Sequence, residues 1–430
     1  MDKIQFSPDN SLLLAASYKT DLVLVFSVRN VEWRARIEAG AGGLTGVTWA
    51  TDSRHILTLA DWSTMLTVWS LASNSVQFIR NPKPWTTSSS RALYNRDGSY
   101  SFIVERRECR DCLNIFTSDW QLVRAVMLDT EDCAGAVWSP DQDMVAVWDN
   151  SLYYRVQVVS LDGRIVWDYS AYEHQLGVRS VTWSPDGKLL SIASYDNRIR
   201  IFCTQFWTMM DDIDHMGALH EGDPVTCHAV VYNEEQVDND LEMETRLALE
   251  MGAVALRQSR YVTVEDRPVY LDFSKPDCKK AGSGSVKVGV SVCKWSRDGR
   301  FIASKCDNLP TTVWIWDIVA GQLVSLLVHT DHVRDLAWDP LLPRCALVTG
   351  GGSVYIWSPM GALVSRIPCV LRGEAEGVTE VSWGGRSRDL ALSNRKHVVL
   401  CQVSPDGKRG HDTAEESDLD LEPSRDETST

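Results

Sequence analysis

One short phrase recurs eight times along this 430-residue chain. It combines an alternating apolar run, an aromatic residue and a turn rich in Pro, Asp and Gly, as in VTWSPDG around Trp183. The aromatic position is occupied in turn by Phe6, Trp49, Tyr94, Trp138, Trp183, Trp295, Trp338 and Trp383. The successive spacings are 43, 45, 44, 45, 112, 43 and 45 residues. A period this regular predicts a chain of similar supersecondary units.

Each unit continues with the same pattern after the turn. A second apolar run follows, such as LLSIAS at 189–194, and then a polar hairpin. A third run ends as in Ile315-Trp316-Asp317, and a fourth, such as GQLVSLLVH at 321–329, closes the unit. Period-2 alternation between turn residues indicates four antiparallel strands, and such units of about 40–45 residues are typical of propeller blades. The sequence therefore resembles the WD-repeat family, and we expect an all-β propeller with eight recognisable four-stranded units (seven to nine blades).

The spacing of 112 residues between Trp183 and Trp295 breaks the period. We therefore divide the chain into the following parts: units one to five at 1–204, an acidic insertion at 205–290, units six to eight at 291–404, and a disordered acidic tail at 405–430. Within the insertion, we expect Asn233–Glu250 to be a mobile acidic loop. Two interpretations of the insertion stay open, a degenerate blade plus a loop, or one long insertion from a blade edge.

The net charge of -15 is concentrated in the two appendages. Residues 410–430 carry eight acids and one base, and residues 205–287 carry sixteen acids and eight bases. The remainder has 34 acids and 34 bases, so the body is neutral. This argues against electrostatic binding of nucleic acid or anionic membranes, which requires a basic face. Eleven scattered cysteines, without a signal peptide or an apolar membrane-spanning run, favour a reduced intracellular protein.

The tryptophans of the repeat have a structural interpretation. We expect the first-strand and third-strand rings to pack one blade on the next, because each ring buries a large apolar area. Asp196 matches the hairpin aspartate of the WD family, and Asp317 completes a Trp-Asp ending. The predicted structural blade positions are Trp49, Trp69, Trp138, Trp183, Asp196, Trp295, Trp316, Asp317, Trp338, Trp357 and Trp383.

No residue pattern indicates catalysis, a cofactor or a metal. Cys109 and Cys112 have CxxC spacing, but no second ligand pair completes a zinc site. Three histidines just before first strands are expected to be structural: His174, His329 and His332. Three others in the insertion lack ligand spacing: His215, His220 and His228. No nucleophile elbow, P-loop or dinucleotide fingerprint occurs, so we predict a non-enzymatic protein without catalytic, cofactor or metal residues.

Several non-consensus stretches are more distinctive than the repeat: 31–44, 105–122, 158–187, 307–318 and 339–359. Together they resemble the WD-repeat protein eight family of the centrosome, centriolar satellites and fungal spindle pole body. That resemblance implies a cytoplasmic, cytoskeletal scaffold that binds a coiled-coil centrosomal or spindle-anchoring protein. It further implies anchoring of microtubule minus ends, in fungi with a minus-end-directed kinesin and other components of the microtubule-organising centre, and roles in spindle assembly and ciliogenesis. No nucleic-acid or membrane partner is implied.

A partner-binding surface is predicted in the 158–187 stretch. Trp167, Tyr169, Tyr172 and Glu173 fall in a fourth strand and the loop that follows it, where aromatic residues with a charge can form a binding hot spot. The alternative is that the two tyrosines only pack at a blade edge and have no role in binding. A second functional class, a generic adaptor such as a ubiquitin-ligase substrate receptor, also stays open. It is weakened because no Trp-Asp pair continues as Trp-Asp-x-Arg.

The final unit is expected to lack its fourth strand. Its third run at 397–403 is followed by a turn and the acidic tail, and Ile4-Gln5-Phe6 already serves as a first strand. Propellers usually close by completing one blade from both termini. We therefore expect either a truncated N-terminus or a last blade with three strands.

Overall fold

The computed structural model describes residues 2–83, 94, 95, 97–220, 222–237, 258–271, 288–367, 377–385, 387–394 and 397–403. These residues form eight successive β-sheets and one short two-stranded sheet. The helices among them are two single turns of 3-10 helix at Gly40–Gly42 and Asp61–Ser63. None of the helices in the described ranges is long and apolar enough to cross a membrane. The predicted all-β propeller architecture is confirmed.

Units one and two are four-stranded antiparallel sheets with strands in chain order. Unit one contains β1 (Lys3–Phe6), β2 (Leu12–Ser17), β3 (Leu22–Ser27) and β4 (Arg34–Glu38). Unit two contains β5 (Gly46–Trp49), β6 (His55–Leu59), β7 (Met65–Ser70) and β8 (Val76–Arg80). The middle strands are the most buried, since both of their faces are covered by neighbouring sheets.

Units three, four and five continue the series. Unit three contains β9 (Tyr100–Arg107), β10 (Arg110–Thr117) and β11 (Leu122–Met127). Unit four contains β12 (Cys133–Trp138), β13 (Met144–Asp149), β14 (Val156–Ser160) and β15 (Ile165–Tyr169). Unit five contains β16 (Val178–Trp183), β17 (Leu189–Ser194), β18 (Arg198–Cys203) and β19 (Thr208–Asp214). Most of the expected first strand of unit three lies outside the described residues, and Tyr94 forms an isolated bridge with Ser101.

The insertion adds two strands to the sheet of unit six and forms a short two-stranded sheet beside it. Unit six follows the insertion and contains β24 (Val290–Trp295), β25 (Phe301–Cys306), β26 (Thr312–Asp317) and β27 (Gln322–Val328). The insertion contributes β20 (Ala218–Leu219), β21 (Val230–Val237), β22 (Gln258–Val264) and β23 (Val269–Tyr270). β21 pairs in parallel with β27 and antiparallel with β22, which gives a six-stranded sheet, while β20 pairs with β23. Of the two interpretations left open, the described residues fit an addition at a blade edge.

Two expected boundaries shift as a result. Thr208–Asp214 is the fourth strand of unit five, so the insertion begins after it and not at residue 205. Residues 233–237, expected in a mobile acidic loop, belong to β21: β22 pairs with all five of them, and β27 pairs with Asn233 on the other side. Residues 238–250 of that loop lie outside the described residues, as does the acidic tail at 405–430.

Units seven and eight complete the series. Unit seven contains β28 (Asp335–Trp338), β29 (Cys345–Val348), β30 (Ser353–Ser358) and β31 (Gly361–Arg366). Unit eight contains β32 (Glu380–Trp383), β33 (Asp389–Ser393) and β34 (Val398–Gln402). Among the described residues no fourth strand pairs with β34.

Hydrogen bonds that involve two tyrosines and the half-buried Glu234 connect the insertion to the propeller. Tyr355 of β30 donates a hydrogen bond to Glu234 Oε1 (2.5 Å), and the backbone N–H of Thr330 donates to Glu234 Oε2 (2.9 Å). The Tyr261 hydroxyl lies 2.7 Å from Nε2 of the buried His329. The insertion hairpin therefore bridges units six and seven.

Candidate protein-interaction surface

The first-strand tryptophans join each unit to the one before it. The indole N–H of Trp49 donates to the Gln5 carbonyl (3.2 Å), and that of Trp338 donates to the Lys294 carbonyl (2.8 Å). Trp383 repeats the contact with the Ala337 carbonyl at 3.0 Å, and Trp295 donates to Ser191 Oγ at 3.0 Å. The N–H of Trp183 has no hydrogen-bond partner within the described residues. Trp138 lies against Phe102 of unit three, with ring centroids 5.5 Å apart. These rings occupy seams between units.

The third-strand tryptophans bond to hydroxyl groups. Trp69 donates to Thr58 Oγ1 (2.8 Å) and Trp316 to Ser304 Oγ (3.2 Å), each on the neighbouring strand of its own sheet. Trp357 instead reaches Ser325 Oγ of unit six (2.9 Å). Trp316 and Trp357 are almost fully buried, so a hydroxyl partner is needed to satisfy each indole N–H.

The two aspartates of the predicted blade set make ion pairs at opposite ends of their units. Asp317, which is buried, accepts hydrogen bonds from Arg300 and from backbone N–H groups of the turn that follows. Asp196 lies 2.7 Å from Nη2 of Arg200, whose side chain is 9% exposed. Both pairs fix hairpins inside a sheet, which is a structural role.

The set of buried histidines differs from the set that the sequence predicted to be structural. His329 is buried and bonded to the Thr311 carbonyl, as expected, but His174 and His332 are exposed. His215, which was grouped with the insertion, is 1% exposed and lies 2.8 Å from both the Asn197 carbonyl and Ser304 Oγ. It therefore links unit five to unit six, and burial lowers its pKa to about 4.

The predicted surface residues belong to an aromatic cluster at the seam between units four and five. Trp167 stacks on Tyr169 (centroids 5.3 Å apart) and on Trp207 (4.9 Å). Phe202 of β18 packs against both Trp167 (4.8 Å) and Tyr169 (4.6 Å). The structure thus brings together two of the four predicted residues with two aromatic residues of the next unit.

Tyr172 joins this cluster from the loop after β15. Its hydroxyl donates to the Leu176 carbonyl (2.8 Å), and its ring lies 4.8 Å from that of Tyr154. The Arg200 guanidinium lies over both rings, 5.3 Å from the centroid of Tyr154 and 5.7 Å from that of Tyr172. Burial raises the pKa of Tyr154 to about 12, so this hydroxyl stays protonated. Glu173 is exposed and stands apart from the cluster.

Exposed apolar side chains border the cluster on two strands. Ile165 and Val166 of β15 are 39% and 45% exposed, and Met209 and Met210 of β19 are 53% and 65% exposed. Phe206, next to the stacked Trp207, is 70% exposed. Sequence reasoning missed this border, although apolar residues at the start of the TMMDDID strand were its signal. A cluster of ordered aromatic rings with exposed apolar neighbours is suited to protein binding.

The two cysteines of the CxxC motif differ in exposure. Cys109 is exposed at the tip of the β9–β10 hairpin and Cys112 is buried, and no group of three or more metal-ligating side chains occurs among the described residues. Burial raises the pKa of the Cys112 thiol, which disfavours the reactive thiolate.

Comparison with known proteins agrees with this architecture. The sequence family "Anaphase-promoting complex subunit 4 WD40 domain" matches residues 136–218. An uncharacterized WD repeat-containing protein of Schizosaccharomyces pombe is 23% identical over 399 residues, 89% of this chain and 74% of that protein. A chain in the solved "Crystal Structure of Mitotic Checkpoint Complex" has 12% identity and a TM-score of 0.44, covering 84% of this chain and 87% of that chain, which is too distant to support an assignment.

One relative is close over most of its length. The WD repeat-containing protein WRAP73 of Mus musculus is 38% identical over 405 residues, which cover 93% of this chain and 84% of that protein. The chain therefore belongs to the WD-repeat protein family, with mouse WD repeat-containing protein WRAP73 as a relative.

Proposed function

We propose that this WD-repeat protein is a non-catalytic scaffold of the centrosome or spindle pole. In this role it binds a coiled-coil partner, helps to anchor microtubule minus ends and supports spindle assembly and ciliogenesis. The support is the distinctive 158–187 stretch, which carries part of the resemblance to the WD-repeat protein eight family. The same stretch supplies Trp167, Tyr169 and Tyr172 to the aromatic cluster.

The observation that carries the binding role is the apolar border of that cluster. Phe206 and Met210 are 70% and 65% exposed. Phe206 precedes Trp207, which stacks on Trp167, and Met210 follows Met209, the register partner of Phe202. An ordered apolar surface loses little side-chain entropy on binding, which favours a protein partner. We expect the coiled-coil partner to cover this border and the adjacent edge of β15.

The localisation test uses the full chain with a fluorescent tag. It should concentrate at spindle poles, basal bodies or pericentrosomal granules and co-purify a coiled-coil centrosomal protein with tubulin. Recovery of a cullin adaptor would instead support the ubiquitin-ligase receptor. A diffuse signal throughout mitosis without centrosomal proteins would contradict the proposal.

The surface test compares two double variants. Phe206→Ser with Met210→Ser should abolish recovery of the partner without lowering the melting temperature, because both side chains are exposed. Val319→Ser with Met360→Ser is the matched control, since these residues are 82% and 96% exposed on units six and seven. Equal recovery of the partner by both variants would show that the border is not the binding surface.

A further inference from the structure

A polar cleft lies between units two and three, away from the aromatic cluster. Its volume is about 280 Å³. Pockets for drugs and cofactors usually span about 300–1,000 Å³, so this cleft is sized for one side chain of a partner. Its lining includes Arg54, Ser70, Gln77, Asp119, Trp120 and Gln121.

The cleft contains an unpaired cation. The backbone N–H of Arg54 donates to Asp52 Oδ1 (3.0 Å), which fixes the turn, but its guanidinium has no ion pair or hydrogen bond within the described residues. The neighbouring His55 is already engaged, since its Nδ1 lies 2.5 Å from Asp52 Oδ2. Arg54 is therefore the cation available to a ligand in this cleft.

Unit six shows what an arginine at this position binds. Arg300 follows Trp295 by five residues, as Arg54 follows Trp49. Arg300 donates to Asp317 Oδ2 from Nε at 2.8 Å and lies 2.7 Å from it through Nη2.

The carboxylate is missing from the corresponding place in unit two. Asp317 is the register partner of Phe301, the residue after Arg300. In unit two, the residue after Arg54 is His55, and its register partner is Ser70. A serine thus stands where the aspartate would complete the ion pair.

A second unpaired donor lines the same cleft. Trp120 is 1% exposed, and its indole N–H has no hydrogen-bond partner within the described residues. A buried donor without an acceptor is costly. Asp119 contributes the one carboxylate that is not already paired among the described lining residues. Arg54 is the one unpaired cation among the described lining residues, and Asp119 adds a negative charge, so a monoanion suits this cleft better than a phosphate dianion.

We propose that the cleft binds an aspartate or glutamate side chain from an acidic segment of a partner protein. The ligand carboxylate takes the place that Asp317 occupies in unit six, with Arg54 as its principal donor. The small side chain of Ser70 leaves room for the ligand carboxylate. This site is independent of the aromatic cluster between units four and five.

The test measures fluorescence polarisation of two labelled decapeptides, alternating Gly-Glu and alternating Gly-Gln, with the full chain at 50 mM salt. The Glu peptide should bind, and Arg54→Gln should weaken it about tenfold or more, because the charge-assisted hydrogen bonds are lost. Ser70→Asp should weaken binding of the Glu peptide equally, because the new carboxylate would pair with Arg54 in place of the peptide. It should not lower the melting temperature. Arg297→Gln is the matched control, since Arg297 is exposed in the corresponding turn of unit six.

Three outcomes would overturn the proposal. They are equal binding of the Gln peptide, unchanged affinity in both cleft variants, and no binding by the wild-type chain. The wild-type chain would also fail to bind the peptide if residues 410–430 or a second copy of the chain filled the cleft. Ser70→Asp keeps the test valid if Arg54→Gln fails to fold.

Discussion

His215 should make the stability of this propeller depend on pH. Its Nδ1 faces the Asn197 carbonyl, so this nitrogen carries the proton, and its Nε2 accepts from Ser304 Oγ. The Ser304 oxygen in turn accepts the Trp316 indole N–H. The chain of hydrogen bonds requires a neutral imidazole, and burial holds the pKa of His215 at about 4 instead of 6.5.

The direction in which pH changes the stability follows from proton linkage. Between pH 6.5 and 4 the unfolded chain binds a proton at this histidine and the folded chain does not, so acidification favours unfolding. The stabilisation is complete above pH 6.5 and is lost as the pH falls toward 4. With these two pKa values, the loss between pH 7 and pH 5 is about 2 kcal/mol.

Urea unfolding at pH 7, 6 and 5 measures this effect on the wild-type chain and on His215→Gln. The variant should be less stable at pH 7, because it loses the hydrogen bonds to units five and six, but its stability should fall about 2 kcal/mol less between pH 7 and pH 5. His174→Gln is the control, since His174 is exposed. Identical pH dependence in the wild-type chain and His215→Gln would refute the assignment.

Three further predictions concern packing and charge. Trp357→Phe removes the indole N–H that donates to the Ser325 hydroxyl, and it should lower the free energy of unfolding by about 1–3 kcal/mol in urea titrations. Glu234→Gln weakens the charge-assisted hydrogen bond from Tyr355, so hydrogen exchange in β21 should speed up without loss of the propeller fold. Deleting residues 411–430 should leave the melting temperature unchanged, because this acidic segment has few apolar residues, and a drop of several degrees would contradict that expectation.

The repeat made the unit structure predictable, because its signals are local. Alternation, turn residues and the aromatic period place strands without knowledge of distant contacts, and Trp49, Trp338 and Trp383 lie at the seams as expected. His215 was missed because the broken period assigned it to the insertion. Its signal was present, since His215 bonds to a carbonyl 18 residues earlier, the same separation as His329 from Thr311.

The position of the insertion could not be predicted in the same way. β21 pairs with β27, which lies about ninety residues further along the chain, in a parallel arrangement that no local pattern encodes. The aromatic cluster could not be predicted for the same reason: Trp207 and Phe202 belong to the unit that follows the one with Trp167 and Tyr169. The missing carboxylate beside Arg54 depends on strand register, because His55 pairs with Ser70 where Phe301 pairs with Asp317.

The contacts of the first-strand tryptophans have a consequence for how the units can diverge. Trp49, Trp338 and Trp383 each donate to a backbone carbonyl of the preceding unit, at separations of 44, 44 and 46 residues. A backbone acceptor is present whatever side chain the residue carries. An accepting position whose own side chain makes no inter-unit contact can therefore change while the donor cannot, so mutational scanning should find tolerance at Gln5 beside intolerance at Trp49.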